Sequence, residues 1–214
     1  NYNYDGDRFV SLTPVVEACA GAPYRVALAE QILEPLAMAD SVPGQDLEAP
    51  PPQLAALFPG AALERYQRVL LRIARPYQVV NNRATLSAYP PKGINASAGL
   101  VSTVLDLARY DAAIDDHRLL SAATQQLAWT PATSQGRTFP YALGWFVQET
   151  AGRRLIWHYG QWPTFSALML KAPGQRLTLI LLANSDGLSA PYPLTPGDVT
   201  TSPFARAFLE LVVL

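Results

Sequence analysis

Cysteine is nearly absent from this sequence of 214 residues: the single Cys19 cannot close an internal disulfide, so no cystine framework supports the fold. It lies in an apolar run at helical spacing, which predicts a buried, unreactive thiol. Lysine is equally scarce, with only Lys92 and Lys171 among 16 basic residues, and the other 14 are scattered arginines. With a net charge of -1 there is no basic surplus to neutralise phosphates, which excludes nucleic acid as the expected partner. The two histidines, His117 and His158, stand 41 positions apart and have no cysteine pair beside them, so no metal site is expected. Neither Gly-x-Gly-x-x-Gly nor a phosphate-loop pattern occurs, and no cofactor is expected. The longest apolar candidate, Leu177 to Ala183, is strand-sized and far short of the roughly 18 residues of a membrane span. Asn1 to Asp7 carry neither the positive flank nor the apolar core of a signal peptide, so any address tag is expected to precede them.

What remains is half hydrophobic and 15% charged, enough to bury a sizeable core. Phe9, Leu12, Val15, Val16 and Cys19 recur at helical spacing over Asp7 to Gly21, with Pro14 predicting a kink or shifted boundary and Gly21 a stop. A second helix is predicted over Tyr24 to Leu36. Prolines punctuate Ser41 to Pro59, which reads as loop with at most a short turn. Leu63 to Ile73 is amphipathic, with arginines on its solvated face. A loop is expected over Val80 to Asn95. Ser102 or Thr103 then caps a helix to about Asp115, and Ser121 caps one to about Trp129.

After residue 130 the period changes. Tyr141 to Glu149, Arg154 to Tyr159, Thr164 to Lys171 and Leu177 to Asn184 are short apolar or alternating runs separated by turn residues, and they predict antiparallel strands. Pro203 to about Val213 closes as an amphipathic helix. The expected class is α+β: a helical lobe over about 7–130, then an antiparallel sheet with its closing helix over about 140–214. His158 stands out, because it falls late in a predicted strand beside Gly160, where a ligand could approach the backbone and the Gln161 amide could donate to it.

Several segments, in order, resemble one family. Tyr4-Asp5-Gly6-Asp7-Arg8-Phe9 followed by Val15-Val16-Glu17 and Gly21 resembles a segment opening on Tyr-x-Asn; Pro35-Leu36-x-Met38 resembles "PLGM". Ala98-Gly99-Leu100-Val101-Ser102-Thr103 with Asp106-Leu107-Ala108-Arg109 resembles "aGGl.St..Dlarf", and Tyr141-Ala142-Leu143-Gly144-Trp145 resembles "YGLGW". His158-Tyr159-Gly160 matches the His-x-Gly form of the Lys-Thr-Gly strand motif, with Leu182-Ala183-Asn184 closing the hairpin after it. The family is that of class C β-lactamases and D-alanyl-D-alanine peptidases, the penicillin-recognising serine hydrolases, and the resemblance runs along essentially the whole chain.

The resemblance implies a nucleophilic serine in Ser-x-x-Lys and an acyl-enzyme on a small-molecule or peptide amide or ester. Tyr4 would exchange protons with the nucleophile or leaving group, aided by a nearby cation because a phenol is otherwise protonated at neutral pH. His158 would hydrogen-bond substrate or Tyr4; Gly160, Gln161 and Trp162 would line the substrate site, with the Gln161 amide one of two oxyanion donors.

Two departures stand against this. No serine here has lysine three residues later, so the resemblance implies a C-terminal portion whose nucleophile lies on an N-terminal segment missing from this sequence. A sheet edge would then be uncovered, expected to hold the missing segment or to pair with a second copy. Gly6 stands where the family has asparagine, and offers no amide side chain to a substrate. A binding module or pseudoenzyme that keeps the cleft therefore stays open beside the hydrolase reading, as does a purely structural use of the sheet edge. The family's usual work implies a periplasmic or secreted protein, and the arginine-rich composition fits a GC-rich bacterial source.

Overall fold

The computed structural model describes residues 2–81, 83–89 and 93–213. In chain order its main elements are helices α1 (Thr13–Ala20) and α2 (Tyr24–Leu28, continued by a π-helical turn Ala29–Leu33), strand β1 (Val42–Pro43), and helices α3 (Pro52–Ala55) and α4 (Ala61–Leu70). Strands β2 (Tyr77–Val80), β3 (Arg83–Leu86) and β4 (Leu100–Val101) follow, then α5 (Val104–Asp115), α6 (Ala122–Ala128), β5 (Thr133–Ser134) and β6 (Arg137–Thr138). The main sheet comprises β7 (Phe146–Thr150), β8 (Arg153–Trp162), β9 (Phe165–Ala172) and β10 (Leu177–Ala183), and helix α7 (Pro203–Phe208) leads into a π-turn Leu209–Val213. Helices and an antiparallel sheet together make the α+β class expected from the sequence.

The chain divides into two compact units, one of 5–74 and 93–113, the other of 2–4, 75–89 and 114–213. Helix α6 and the β2–β3 hairpin belong with the sheet, because Tyr77 N donates to Asn184 O at 2.8 Å and Asn184 Nδ2 donates to Arg75 O at 2.6 Å. Arg154 Nη2 likewise donates to Trp129 O, at 2.6 Å, a cation on the carbonyl end of α6.

In the helical unit Pro14 sets a boundary as anticipated: a 3₁₀ stretch Gly6–Leu12 passes into α1, whose first turn tolerates the proline because its missing N–H would be an orphan there. Gly21, at φ 65°, ends α1 in the left-handed conformation. No residue of α1 is buried, and Cys19 is exposed, which corrects the expectation of a buried thiol. Helical spacing identifies an apolar face; it does not say that the face is covered. The core of this unit lies instead under α4, where Tyr66, Val69 and Leu70 pack with Val42, Leu47 and Phe58. The proline-rich stretch holds more structure than a loop, with a 3₁₀ turn Gln45–Glu48 besides α3. Arg25 fixes that turn by a bidentate pair to Asp46, at 3.0 and 2.9 Å.

Asp106, fully buried in the first turn of α5, organises the rest of this unit. Its Oδ2 accepts from Asp40 N and from Ser41 Oγ, each at 2.8 Å; its Oδ1 pairs with Arg109; and Ser41 Oγ is 2.8 Å from Ser102 Oγ. Thr103 Oγ1 caps the helix by accepting from Asp106 N at 3.2 Å. Gly99 is required by space: at φ 118°, a Cβ there would stand 2.5 Å from Gly93 O.

The four-stranded sheet has the order β10-β9-β8-β7, all neighbours antiparallel. The β7–β8 connection is a two-residue turn, Ala151 and Gly152, with φ of 48° and 72°, the left-handed pair that matches the strands' twist. Strand β8 begins near the expected place but runs on through Trp162, and β7 begins at Phe146 rather than Tyr141; Pro140 and the Tyr141–Trp145 loop precede it. The β2–β3 hairpin falls partly inside the expected Val80–Asn95 loop, whose residues 82 and 90–92 lie outside the described ones. Four exposed residues, Arg83–Leu86, give no apolar alternation to betray a strand.

Register sorts the sheet's side chains. Leu155, Trp157, Leu168, Leu170 and Ala172 share one face, which buries against Leu194, Val199, Ala205, Leu209 and Val213. Ile156, His158 and Gly160 occupy the opposite face, with Lys171 paired across to Ile156 and Met169 to His158. Lys171 is buried there, its ammonium 2.9 Å from Asp115 Oδ1 and 3.2 Å from Thr178 Oγ1. Among the described residues no helix is long and apolar enough to cross a membrane.

Candidate active site

Strand β8 outruns its neighbour. Strand β7 pairs with it only from Arg153 to Trp157, so from His158 to Trp162 the strand is laddered to β9 alone, and the side vacated by β7 receives side chains from elsewhere in the chain. Phe146, stacked on Trp157 at 4.2 Å, forms the floor at that step. The Tyr4 ring lies 5.0 Å from the Phe146 ring, and the Tyr141 ring meets Phe146 edge-on at 4.7 Å. Both phenols thereby reach one atom: His158 Nε2 is 3.1 Å from Tyr4 Oη and 2.9 Å from Tyr141 Oη.

The tautomer of His158 follows from its other nitrogen. Nδ1 is 2.8 Å from the carbonyl oxygen of Tyr159, and a carbonyl can only accept, so Nδ1 carries the proton and Nε2 offers a lone pair. Burial removes water from the ring and lowers its pKa from 6.5 to about 4, against the opposing pull of the Tyr159 carbonyl. At neutral pH His158 is a neutral acceptor. The surrounding phenols are held protonated: burial foremost, then the charge of Tyr4, pushes Tyr141 well above the ordinary value of 10, and the same causes bring Tyr159 to about 12. Tyr2, with burial again first, rises to about 12.

Between pH 6.5 and about 4 the unfolded chain takes up a proton on this imidazole that the folded chain refuses, so folding loses free energy as pH falls through that window and keeps its full share above it. We expect the melting temperature of the wild type to drop between pH 6.5 and 4.5 by more than that of His158→Gln. Equal drops, recorded by circular dichroism, would remove His158 as the source.

Of the other residues singled out by the sequence, Gly160 and Gln161 follow His158 on β8, opposite Ala167 and Ser166, and Trp162 ends the strand opposite Phe165. A Cβ on Gly160 would meet only Ala167 Cβ at 3.9 Å, so packing does not demand glycine there. Its carbonyl accepts from Ser189 Oγ at 3.4 Å. Gly6 opens the 3₁₀ stretch of the helical unit, whose cap is Asp5: Oδ1 accepts from Asp7 N at 3.1 Å. Sequence reasoning misses Tyr141 as a site residue; it enters there only as the start of a predicted strand and of the segment resembling "YGLGW", and nothing in its spacing to His158 signals the contact. Tyr141 also walls a cavity of about 270 Å³ with Tyr2, Asn3, Ala132, Phe139 and Ala142, which neither Tyr4 nor His158 lines. Among the described residues no three His, Cys, Asp or Glu side chains gather as a metal-binding group.

Comparison with known proteins sets this geometry in context. Over 96 residues the chain is 32% identical to penicillin-binding protein 4* of Bacillus subtilis (strain 168), a stretch covering 44% of this chain and 21% of that one. The octameric penicillin-binding protein homologue from Pyrococcus abyssi superposes with a TM-score of 0.69 at 22% identity, over 98% of this chain and 43% of that one. A D-stereospecific amidohydrolase from Streptomyces sp. gives 0.63 at 19% identity, over 99% and 55%. The chain thus spans about half the length of these structures and about a fifth of the curated relative. At such identities the structures establish a shared fold, and the family is established by the sequence itself: residues 1–196 match the beta-lactamase family, so this chain belongs to the family of serine beta-lactamases and penicillin-binding proteins.

Proposed function

We propose that this chain supplies the Tyr4–His158 side of a serine hydrolase active site that works through an acyl-enzyme on an amide or ester. The observation that carries the reading is the contact of Tyr4 Oη with a neutral His158 Nε2, 3.1 Å apart, on the stretch of β8 that β7 leaves open. In this scheme Tyr4, held as a phenolate by the ammonium of the upstream lysine, takes the proton of a nucleophilic serine and returns it to the leaving group. The serine and its lysine would come from a Ser-x-x-Lys segment upstream, since no serine here has lysine three residues later. The Gln161 amide would donate to the developing oxyanion, and the open space over Gly160 would let the acyl group lie close to the strand. Trp162 would bound the far end of that groove.

The substrate class follows the family resemblance: a β-lactam, a D-alanyl peptide or an ester. The outer edge of β10 has no strand partner among the described residues, and it would take a strand from the upstream segment or from a second copy. Export to the periplasm or the medium fits such substrates.

The test is intact mass spectrometry of the complete gene product after incubation with a fluorophosphonate or a penicillin. We expect a stoichiometric adduct mapping to a serine upstream of Tyr4. Folded protein that forms no adduct with either reagent would instead favour a binding module that retains the cleft.

A further inference from the structure

On the reading that the Gln161 amide donates to the developing oxyanion, we propose that Ser189 is a positioning residue: its buried hydroxyl holds the carbonyl of Gly160, and with it the peptide plane whose opposite edge is the Gln161 N–H.

The direction of that N–H follows from the ladder. A two-residue turn closes β7 on β8, so its flanking residues, Thr150 and Arg153, form a hydrogen-bonded pair, and alternation turns the backbone groups of Leu155 and Trp157 to β7 as well. Every second residue of a strand points its N–H and C=O to the same side. The pairing with β9 runs from Ile156 to Trp162 without a bulge, so Tyr159 and Gln161 point theirs to the side that β7 leaves open. The far end of the strand agrees: Pro163 and Thr164 form the two-residue turn to β9, which makes Trp162 and Phe165 a hydrogen-bonded pair and Gly160 and Ala167 the next one. The Gly160 carbonyl therefore points to β9, and the Gln161 N–H of the same planar trans peptide points away from it.

That carbonyl carries two lone pairs. The ladder uses one, for Ala167 N, and Ser189 Oγ, 3.4 Å away, donates to the other. The contact is long, yet Ser189 is buried and its place is fixed from two directions. The 3₁₀ turn Asp186–Leu188 that delivers it is capped by Ser185 Oγ, which accepts from Gly187 N at 3.3 Å, and Asp186 O accepts from Ser189 N at 3.1 Å. Ser166, buried opposite Gln161 on β9, ties that turn to the sheet: its Oγ donates to Ser185 O at 2.7 Å and accepts from Leu188 N at 3.1 Å. A hydroxyl buried in this way needs an acceptor, and Gly160 O supplies it. Glycine is also where a tether matters most, because its backbone turns freely and a Cβ there would meet only Ala167 Cβ at 3.9 Å, so side-chain packing does nothing to hold this peptide. An oxyanion donor works by being aimed before the reaction starts, and a bond to the carbonyl aims it.

The experiment labels the complete gene product with a fluorophosphonate across reagent concentrations and records phosphorus-31 spectra of the adduct, whose phosphoryl oxygen takes the place of the oxyanion. Ser189→Ala is expected to lower the maximal labelling rate by about tenfold, less than the roughly 10²–10³ of a donor removed outright, with the half-saturating concentration within about twofold. Its phosphorus resonance should move toward that of the denatured adduct. Ser189→Cys, which keeps the size and offers a weaker donor, should fall between wild type and alanine, and it reads the same contrast if the alanine variant does not fold. Ser202→Ala removes another buried serine, the cap of α7, and should change stability without moving the resonance. A resonance unchanged in both Ser189 variants, whatever their rates, would overturn the positioning role and leave the reading of the Gln161 amide standing. A wild-type adduct that resonates like the denatured one, or wild-type protein that forms no adduct, would take down both.

Discussion

Tyr4→Phe is expected to slow acylation of the complete gene product by roughly 10²–10⁴-fold, the usual contribution of a positioned proton-transfer group. The substitution keeps the ring that packs on Phe146 at 5.0 Å and beside Tyr141 at 5.2 Å, so the loss comes from one oxygen and leaves the packing in place. Its effect on folding should be small, about 1 kcal/mol, because Tyr141 still fills His158 Nε2 at 2.9 Å. The measurement is the fluorophosphonate labelling rate paired with urea denaturation of the same sample. A labelling rate within twofold of wild type would remove Tyr4 from the chemistry and move the proton shuttle to a group outside this chain.

The largest expected effect on stability lies elsewhere, at Asp106. Asp106→Ala deletes the acceptor shared by Asp40 N and Ser41 Oγ, each at 2.8 Å, together with the partner of Arg109, in a place closed to solvent. Ser41, fully buried, keeps a donor that cannot reach water, while the half-exposed Arg109 turns to solvent; losing two hydrogen bonds to a charged acceptor costs about 3–5 kcal/mol. Urea denaturation followed by circular dichroism should show the midpoint falling accordingly. Ser41→Ala removes one member whose loss leaves no buried charge unpaired, and should cost about 1 kcal/mol. A loss under 1 kcal/mol for Asp106→Ala would mean that water reaches the network, and that the motif around it serves something other than the fold.

These two residues were visible in the sequence in different ways. Tyr4 and His158 were marked by motif, and the strand carrying His158 by alternation, but their contact spans 154 positions and rests on how far β8 outruns β7. Asp106 was marked by motif too, in Asp106-Leu107-Ala108-Arg109, and by place as a first-turn acid beneath a Thr103 cap, but neither says that it is buried. Its burial beneath Asp40 and Ser41 is a long-range event. Cys19 shows the converse: its helical spacing was correct and its burial was not, because a periodic face reports where apolar groups point and not whether anything lies against them.

Local chemistry settled what local chemistry can. Pro14, Gly21, Ser121 and the Ala151-Gly152 turn act through their own backbone geometry and nearest neighbours, and the structure puts boundaries at each of them. Strand alternation settled which residues of β8 share a face, since a period of two leaves no choice once the register is set. The tertiary structure alone decided the rest: that Lys171 is buried against Asp115, that the β2–β3 hairpin joins the sheet unit, and that Tyr141 meets the acceptor of His158. Each of those depends on distance between segments remote in sequence, and spacing along a chain fixes such distances only within a single element.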